Sequence, residues 1–182
     1  MARADLIALY AFEAELLAIP TRVTQPLLAE MRFTWWSEQM DGLFAGTPRK
    51  GHPVLEGLSR AQARQPMDRG VFDALIEAHI GRVHGQPHDL DAFYGGPMRE
   101  AARLLGADDP APATAAGRVW GLSQAGRPDE ARAALADAAG VARSRPVLAF
   151  PAVLPATLVR APDAGPTRKR LRLLWATVRG RL

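Results

Sequence analysis

Apolar residues recur along this chain at helical rather than strand intervals. Leu6, Ile7, Tyr10, Leu16 and Leu17 follow such a spacing, and Pro20 is expected to close this first segment. Thr24 can cap a second helix that tolerates Pro26 in its first turn, and Leu28, Met31, Trp35 and Leu43 then line one face to about Ala45. The breaker Gly46-Thr47-Pro48 and the turn-like Arg49-Lys50-Gly51 lead to a short helix over Pro53 to Arg64. Asp68 can cap the next, with Phe72, Leu75, Ile76, His79 and Val83 facing inward until Gly85 and Pro87 end it. Asp89 caps a helix through Leu105, broken or kinked at Gly95-Gly96-Pro97 and stopped by Gly106. Ala113 to Gln124 reads as helical, and Asp129 caps an Ala-rich helix to about Arg143. Pro151 and Pro155 predict a short or kinked helix within 147–160, and a tail helix follows the loop Ala161 to Pro166. No run alternates convincingly and β-branched residues are sparse, so the pattern predicts an all-α, single-domain helical bundle over residues 1–182.

Composition adds exclusions. At 182 residues the chain can bury one real core, and its 48 % apolar content argues against disorder. Without cysteine there are no disulfides and no thiolate metal sites. Arg3, Asp5, Glu13 and Glu15 break the first apolar stretch, which predicts no secretory leader. The uncharged run Pro146 to Val159 is too short and too proline-rich to cross a bilayer. A cytoplasmic protein is the expectation.

The net charge of +4 is a property of the tail. Arg168, Lys169, Arg170, Arg172, Arg179 and Arg181 lie in the last 15 residues with no acid among them, which leaves the body slightly acidic. With no basic stripe elsewhere, nucleic acid is not an expected partner. Within residues 167–182, Leu171, Leu174, Trp175 and Val178 share one helical face flanked by the cations. Such a helix either packs as the last member of the bundle or lies on an anionic membrane surface or a partner, through Arg168, Lys169, Arg170, Arg172 and Trp175.

Residue types that carry chemistry are thinly arranged. His79, His84 and His88 have spacings of five and four, interrupted by Gly85 and Pro87, so no helical metal-binding pair survives, and His52 stands apart. Asp108-Asp109 precedes Pro110 and reads as a solvated turn. No nucleophile–base motif and no phosphate-cradling glycine loop is present. The expectation is no catalytic residue, no metal site and no cofactor.

Several stretches resemble the squalene/phytoene synthase family. Ala8-Leu9-Tyr10-Ala11-Phe12-Glu13-Ala14-Glu15 is similar to the start of its core, and Met31 to Trp36, with Arg32 three residues before the tryptophan pair, is the most specific match. Gly46-Thr47-Pro48-Arg49, His52-Pro53-Val54, the segment from Phe72 to Glu77, Asp91 to Tyr94, and Ala149 to Pro155 extend the likeness. The resemblance implies a truncated class I isoprenoid synthase fold. In active members two acidic motifs on facing helices hold magnesium against a substrate diphosphate. Here Leu17, Ala18 and Ile19 occupy the place of the first motif's acids, and Glu13 and Glu15 point in different directions on a helix. After Gly117 to Ser123 the chain runs through Gln124-Ala125-Gly126-Arg127-Pro128 into the next helix, where the second motif would stand, and the central helix reads Ala78 to Arg82 where synthases tend to carry an acid.

The resemblance therefore implies a non-catalytic member, similar to the branch that assists assembly of respiratory complex I, peripheral on the inner membrane. Alternatives are a divergent head-to-head prenyl transferase of isoprenoid or carotenoid synthesis, for which alone magnesium is expected, and an isoprenoid-ligand carrier. Tyr10, Arg32, Trp35 and Trp36 are the candidate ligand- or partner-binding residues. Trp35 and Trp36 lie about 100° apart on a helix, so one is expected in the core and the other at a contact surface. Arg32 could hold a phosphate, but is expected to pair with Glu30 or Glu38.

Overall fold

The computed structural model describes residues 2–141, 150–160 and 164–179, with side chains of 137–141, 150, 178 and 179 left aside. Among these residues it contains nine α-helices and no strand, an all-α fold. The chain forms two compact units, Met1–Asp89 and Leu90–Leu182.

The first unit holds α1 (Ala2–Arg22), α2 (Pro26–Phe44), α3 (Pro53–Arg64) and α4 (Arg69–Val83). α1 packs chiefly on α3, and α2 on α4. Phe12, Phe33, Phe72, Leu9, Leu16, Met40, Leu55, Leu58 and Ile76 are its large, fully buried side chains. Each contributes about 1.5–3 kcal/mol by leaving water. α1 and α3 run antiparallel. The Arg64 guanidinium grips Asp5 (Nε to Oδ2 3.3 Å), while further along the pair Gly57 lies so close that an added Cβ would stand 2.9 Å from the Cβ of Ala8.

In the first unit two helix boundaries and one face depart from the sequence pattern; in the second, the Ala-rich helix opens at Pro128, with Arg127 O accepting from Ala131 N at 3.0 Å, so Asp129 lies in its first turn and is not its cap. α1 continues through Pro20 to Arg22, because a proline in the last turn removes one hydrogen bond only, and Val23 N still donates to Ile19 O at 3.0 Å. Gln25, rather than Thr24, is the N-cap of α2, extended and without a side-chain cap, with Pro26 at the first position. The buried face of α2 is Ala29, Phe33, Trp36, Met40 and Leu43, whereas Leu28 and Met31 are 42 % and 60 % exposed. This helix carries apolar stripes on two sides, so periodicity alone does not choose between them. In α4, by contrast, Asp68 Oδ1 accepts from Gly70 N at 3.0 Å, and Phe72, Leu75, Ile76 and His79 are buried.

The second unit begins with a π-helical turn (Asp91–Gly95) that passes directly into α5 (Gly96–Leu104). α6 (Ala111–Gln124), α7 (Pro128–Val141), α8 (Phe150–Val153), a 3₁₀ segment (Leu154–Arg160) and α9 (Pro166–Arg179) follow. α6 is the central member, packing on α5, α7, the π turn and the 3₁₀ segment. The sequence reading of 142–149 and 161–163 falls outside the described residues; the part of the proline-containing stretch that is described is indeed short, one turn of α-helix followed by 3₁₀.

Gly117 sets how closely α6 meets the π turn. A Cβ there would collide with the Tyr94 carbonyl oxygen and lie 2.6 Å from Gly95 Cα. Both obstacles are backbone, which cannot swing away. Gly117→Ala is therefore expected to destabilise the second unit by about 1–3 kcal/mol, read as a lower urea midpoint at unchanged slope. Wild-type stability in that variant would show that the contact is looser than described.

Candidate functional site

The loop between α2 and α3 folds back onto the tryptophan pair. Gly46 (φ +78°) and Gly51 (φ +83°) supply the left-handed turns this requires. Thr47 N donates to Gly42 O at 2.7 Å, and Gly51 N to Glu56 Oε1 at 3.0 Å. Pro53 at the first position of α3 then fixes His52 as the N-cap.

The result is an aromatic cluster. Trp35 and Trp36 meet edge to face at 5.0 Å, and His52 lies 5.7 Å from Trp35 and 5.3 Å from Trp36. Trp36 is buried and reaches Phe12 at 5.2 Å, whereas Trp35 is half-buried under the Arg49 guanidinium at 5.9 Å. Arg49 and His52 belong to this cluster although the sequence reading gave neither a role. The signal was Pro53, which pins His52, together with the two glycines that return the loop.

Tyr10 and Arg32 are placed differently. Tyr10 lies about 200° around α1 from Phe12 and is 43 % exposed. Poor solvation of its hydroxyl and the neighbouring Glu13 push the phenol up to about 12. Arg32 is exposed and makes no ion pair with Glu30 or Glu38, correcting that expectation. Two and six residues away on a helix are not facing positions, and Glu30 Oε2 instead lies 3.2 Å from His84 Nε2.

Glu13 is the less expected residue. Its Oε1 is buried with no hydrogen-bond partner, and burial pushes its carboxyl up to about 8. From the contact of Ala8 with Gly57, five residues along α1 lead to Glu13 and five back along α3 lead to His52. Both steps rise about 7.5 Å, so in this antiparallel pair Glu13 and His52 stand at one level. Nδ1 of His52 is also buried and without a partner. Two unsatisfied polar atoms thus lie at the level of the tryptophan cluster.

The other histidines are used separately. His79 stacks on Phe33 at 5.3 Å, and burial, then Arg82 and His88, lower its pKa to about 4. Burial and Arg82 also lower that of His88. Among the described residues no three of His, Asp and Glu come together as a group able to hold a metal ion.

The family model for squalene/phytoene synthases matches residues 1–94. This chain belongs to the squalene/phytoene synthase family. The match spans the whole first unit and ends in the π turn, so the tryptophan cluster, Tyr10, Glu13 and His52 all lie inside it. No curated protein and no solved structure matches the chain.

The magnesium chemistry of squalene/phytoene synthases needs clustered carboxylates, and the residues present do not fit it. Where the first acidic motif would stand, Leu17 is exposed, Ala18 is half-buried and Ile19 is in the core, none with an oxygen to offer. α6 passes into α7 through Ala125, Gly126 and Arg127 alone.

In the second unit, an open cavity of ≈ 520 Å³ is lined by Asp91, Arg99, Asp109, Pro110, Thr114 and Arg118, among others. Arg118 Nη1 lies 3.9 Å from Asp91 Oδ2. Of the tail candidates, Arg168, Arg170 and Trp175 are exposed, while Lys169 and Arg172 are half-buried.

Proposed function

We propose that this squalene/phytoene synthase-family chain has given up prenyl transfer and works as a binding or assembly factor, in respiratory complex I biogenesis by analogy, at the cytoplasmic face of the inner membrane. The observation that carries this reading is the apolar replacement at Leu17–Ile19, where a leaving diphosphate would need metal-bound carboxylates. Exposed apolar side chains support a binding role. Ile7, Tyr10 and Leu17 share one side of α1, and Leu27, Leu28 and Met31 one side of the start of α2. A protein partner is the occupant that an assembly factor requires.

The test has two parts. Purified chain incubated with magnesium and farnesyl or geranylgeranyl diphosphate is expected to release no diphosphate; magnesium-dependent release would restore the prenyl transferase. A deletion strain is expected to lose assembled complex I while its carotenoids stay unchanged. Normal complex I in that strain would remove the assembly role.

A further inference from the structure

The tail helix α9 is mounted with its apolar face outward. At 100° per residue, Leu171, Leu174 and Trp175 occupy an arc of about 100°. They are 61 %, 62 % and 57 % exposed. Lys169, Leu173 and Ala176 lie on the opposite side, where Ala176 is buried and the other two are half-buried. α9 packs on the 3₁₀ segment Leu154–Arg160. The helix meets that packing with Ala176, Leu173 and the stem of Lys169, while two of its leucines and the tryptophan stay more than half exposed.

The cations are placed to match. Arg170 borders one edge of the apolar arc, and Arg168, with Arg172 beyond it, the other; both bordering arginines are exposed. Among the described residues, none of Arg168, Lys169, Arg170 and Arg172 is in an ion pair. α9 has no acid, and the 3₁₀ segment beneath it has none either while adding Arg160. Neither of these two described segments supplies a counter-charge at this face. An apolar strip with a tryptophan, bordered on both sides by guanidinium groups, matches acyl chains beneath a layer of phosphates. No helix among the described residues is long and apolar enough to cross a membrane, so α9 would lie in the plane of the interface.

We propose that α9 is an in-plane docking helix for anionic lipid, with Leu171, Leu174 and Trp175 entering the acyl boundary and Arg168 and Arg170 bound to lipid phosphates. This deepens the membrane location proposed above and rests on it, but does not depend on the assembly role. Two different classes of residue carry it, so two variants separate them.

The full chain is floated with phosphatidylcholine vesicles with and without phosphatidylglycerol. Binding is expected with phosphatidylglycerol only, and to weaken as salt is raised. Arg168→Gln/Arg170→Gln should lower the partition coefficient about tenfold to thirtyfold. Leu171→Gln/Leu174→Gln should lower it comparably at low salt and leave the weak residual binding more salt-sensitive. All four positions are on the outer face, so circular dichroism and the melting temperature are expected to be those of the parent. Equal binding to neutral vesicles, no binding at all, or parent-like binding by both variants would overturn the proposal. Retention on single-stranded RNA with no vesicle binding would overturn it in favour of a nucleic-acid face. A chain that fails to bind vesicles while its deletion still costs complex I would sink the docking helix and leave the assembly role standing.

Discussion

At pH 8 the Glu13→Gln variant is expected to be more stable than the parent chain by about 3–5 kcal/mol, and at pH 4 the two should be alike. The carboxyl titrates near 8 in the folded chain, against an ordinary value of 4.5, because its Oε1 is buried without a partner. Between those values the unfolded chain has released a proton that the folded chain keeps. The stability of the protonated state is therefore full below pH 4.5 and is lost as the pH rises through 8. Glutamine has the shape of the protonated acid and never ionises, so it removes this loss. His79 acts in the opposite window. Its ring titrates near 4 when folded and 6.5 when not, so its contribution is full above 6.5 and is lost as the pH falls through 4. Urea unfolding of parent and variant from pH 4 to pH 8 checks the claim. A difference that does not grow with pH would show that Glu13 is solvated or paired.

Phe12→Ala is expected to cost about 3–5 kcal/mol, the range for emptying a fully buried aromatic site. Phe12 is fully enclosed, with ring centroids 5.2 Å from Trp36 and 5.3 Å from Phe72. Three helices meet at this ring, so no single side chain can close the cavity by a rotamer change. Trp36 also loses the edge-to-face partner opposite His52, and the tryptophan cluster should loosen along with the core. Denaturant midpoints together with near-ultraviolet circular dichroism report both effects. A loss below about 1 kcal/mol would mean that the first unit repacks freely, and the cluster would then be no fixed site. The contrasting control is Leu28→Ala, which removes a partly exposed side chain and is expected to be within about 0.5 kcal/mol of the parent.

Much of the helix layout was legible because local chemistry writes it directly. Asp68 caps α4, Pro53 starts α3 and Arg64 ends it, and the prolines of 150–160 shorten what can form there. The face each helix buries was less legible. α4 reads correctly, since its apolar residues form one stripe. α2 reads incorrectly, since Leu28–Met31–Trp35 and Ala29–Phe33–Trp36–Met40 are both plausible stripes, and the choice belongs to the helices packed against it.

The candidate site divides in the same way. The tryptophan pair was visible as a motif, and the rule that adjacent helical residues diverge by about 100° separated a buried Trp36 from a half-buried Trp35. That Arg49 and His52 join them depends on a loop folding back through two left-handed glycines. That Glu13 reaches the level of His52 depends on the antiparallel register of α1 and α3. Neither relation has a trace in residue spacing, because the partners are brought together by packing and not by the chain.

By itself, then, the sequence determined an all-α fold, most of its breakpoints, the family likeness and the apolar character of Leu17–Ile19. These follow from propensity, capping and residue chemistry, which act within a few positions along the chain. Tertiary structure alone decided which stripe of α2 is core, that Oε1 of Glu13 and Nδ1 of His52 are buried without hydrogen-bond partners, and that α9 turns Leu171, Leu174 and Trp175 away from its packing partner. Burial is a property of what lies opposite a side chain, and a helical period does not say what that is.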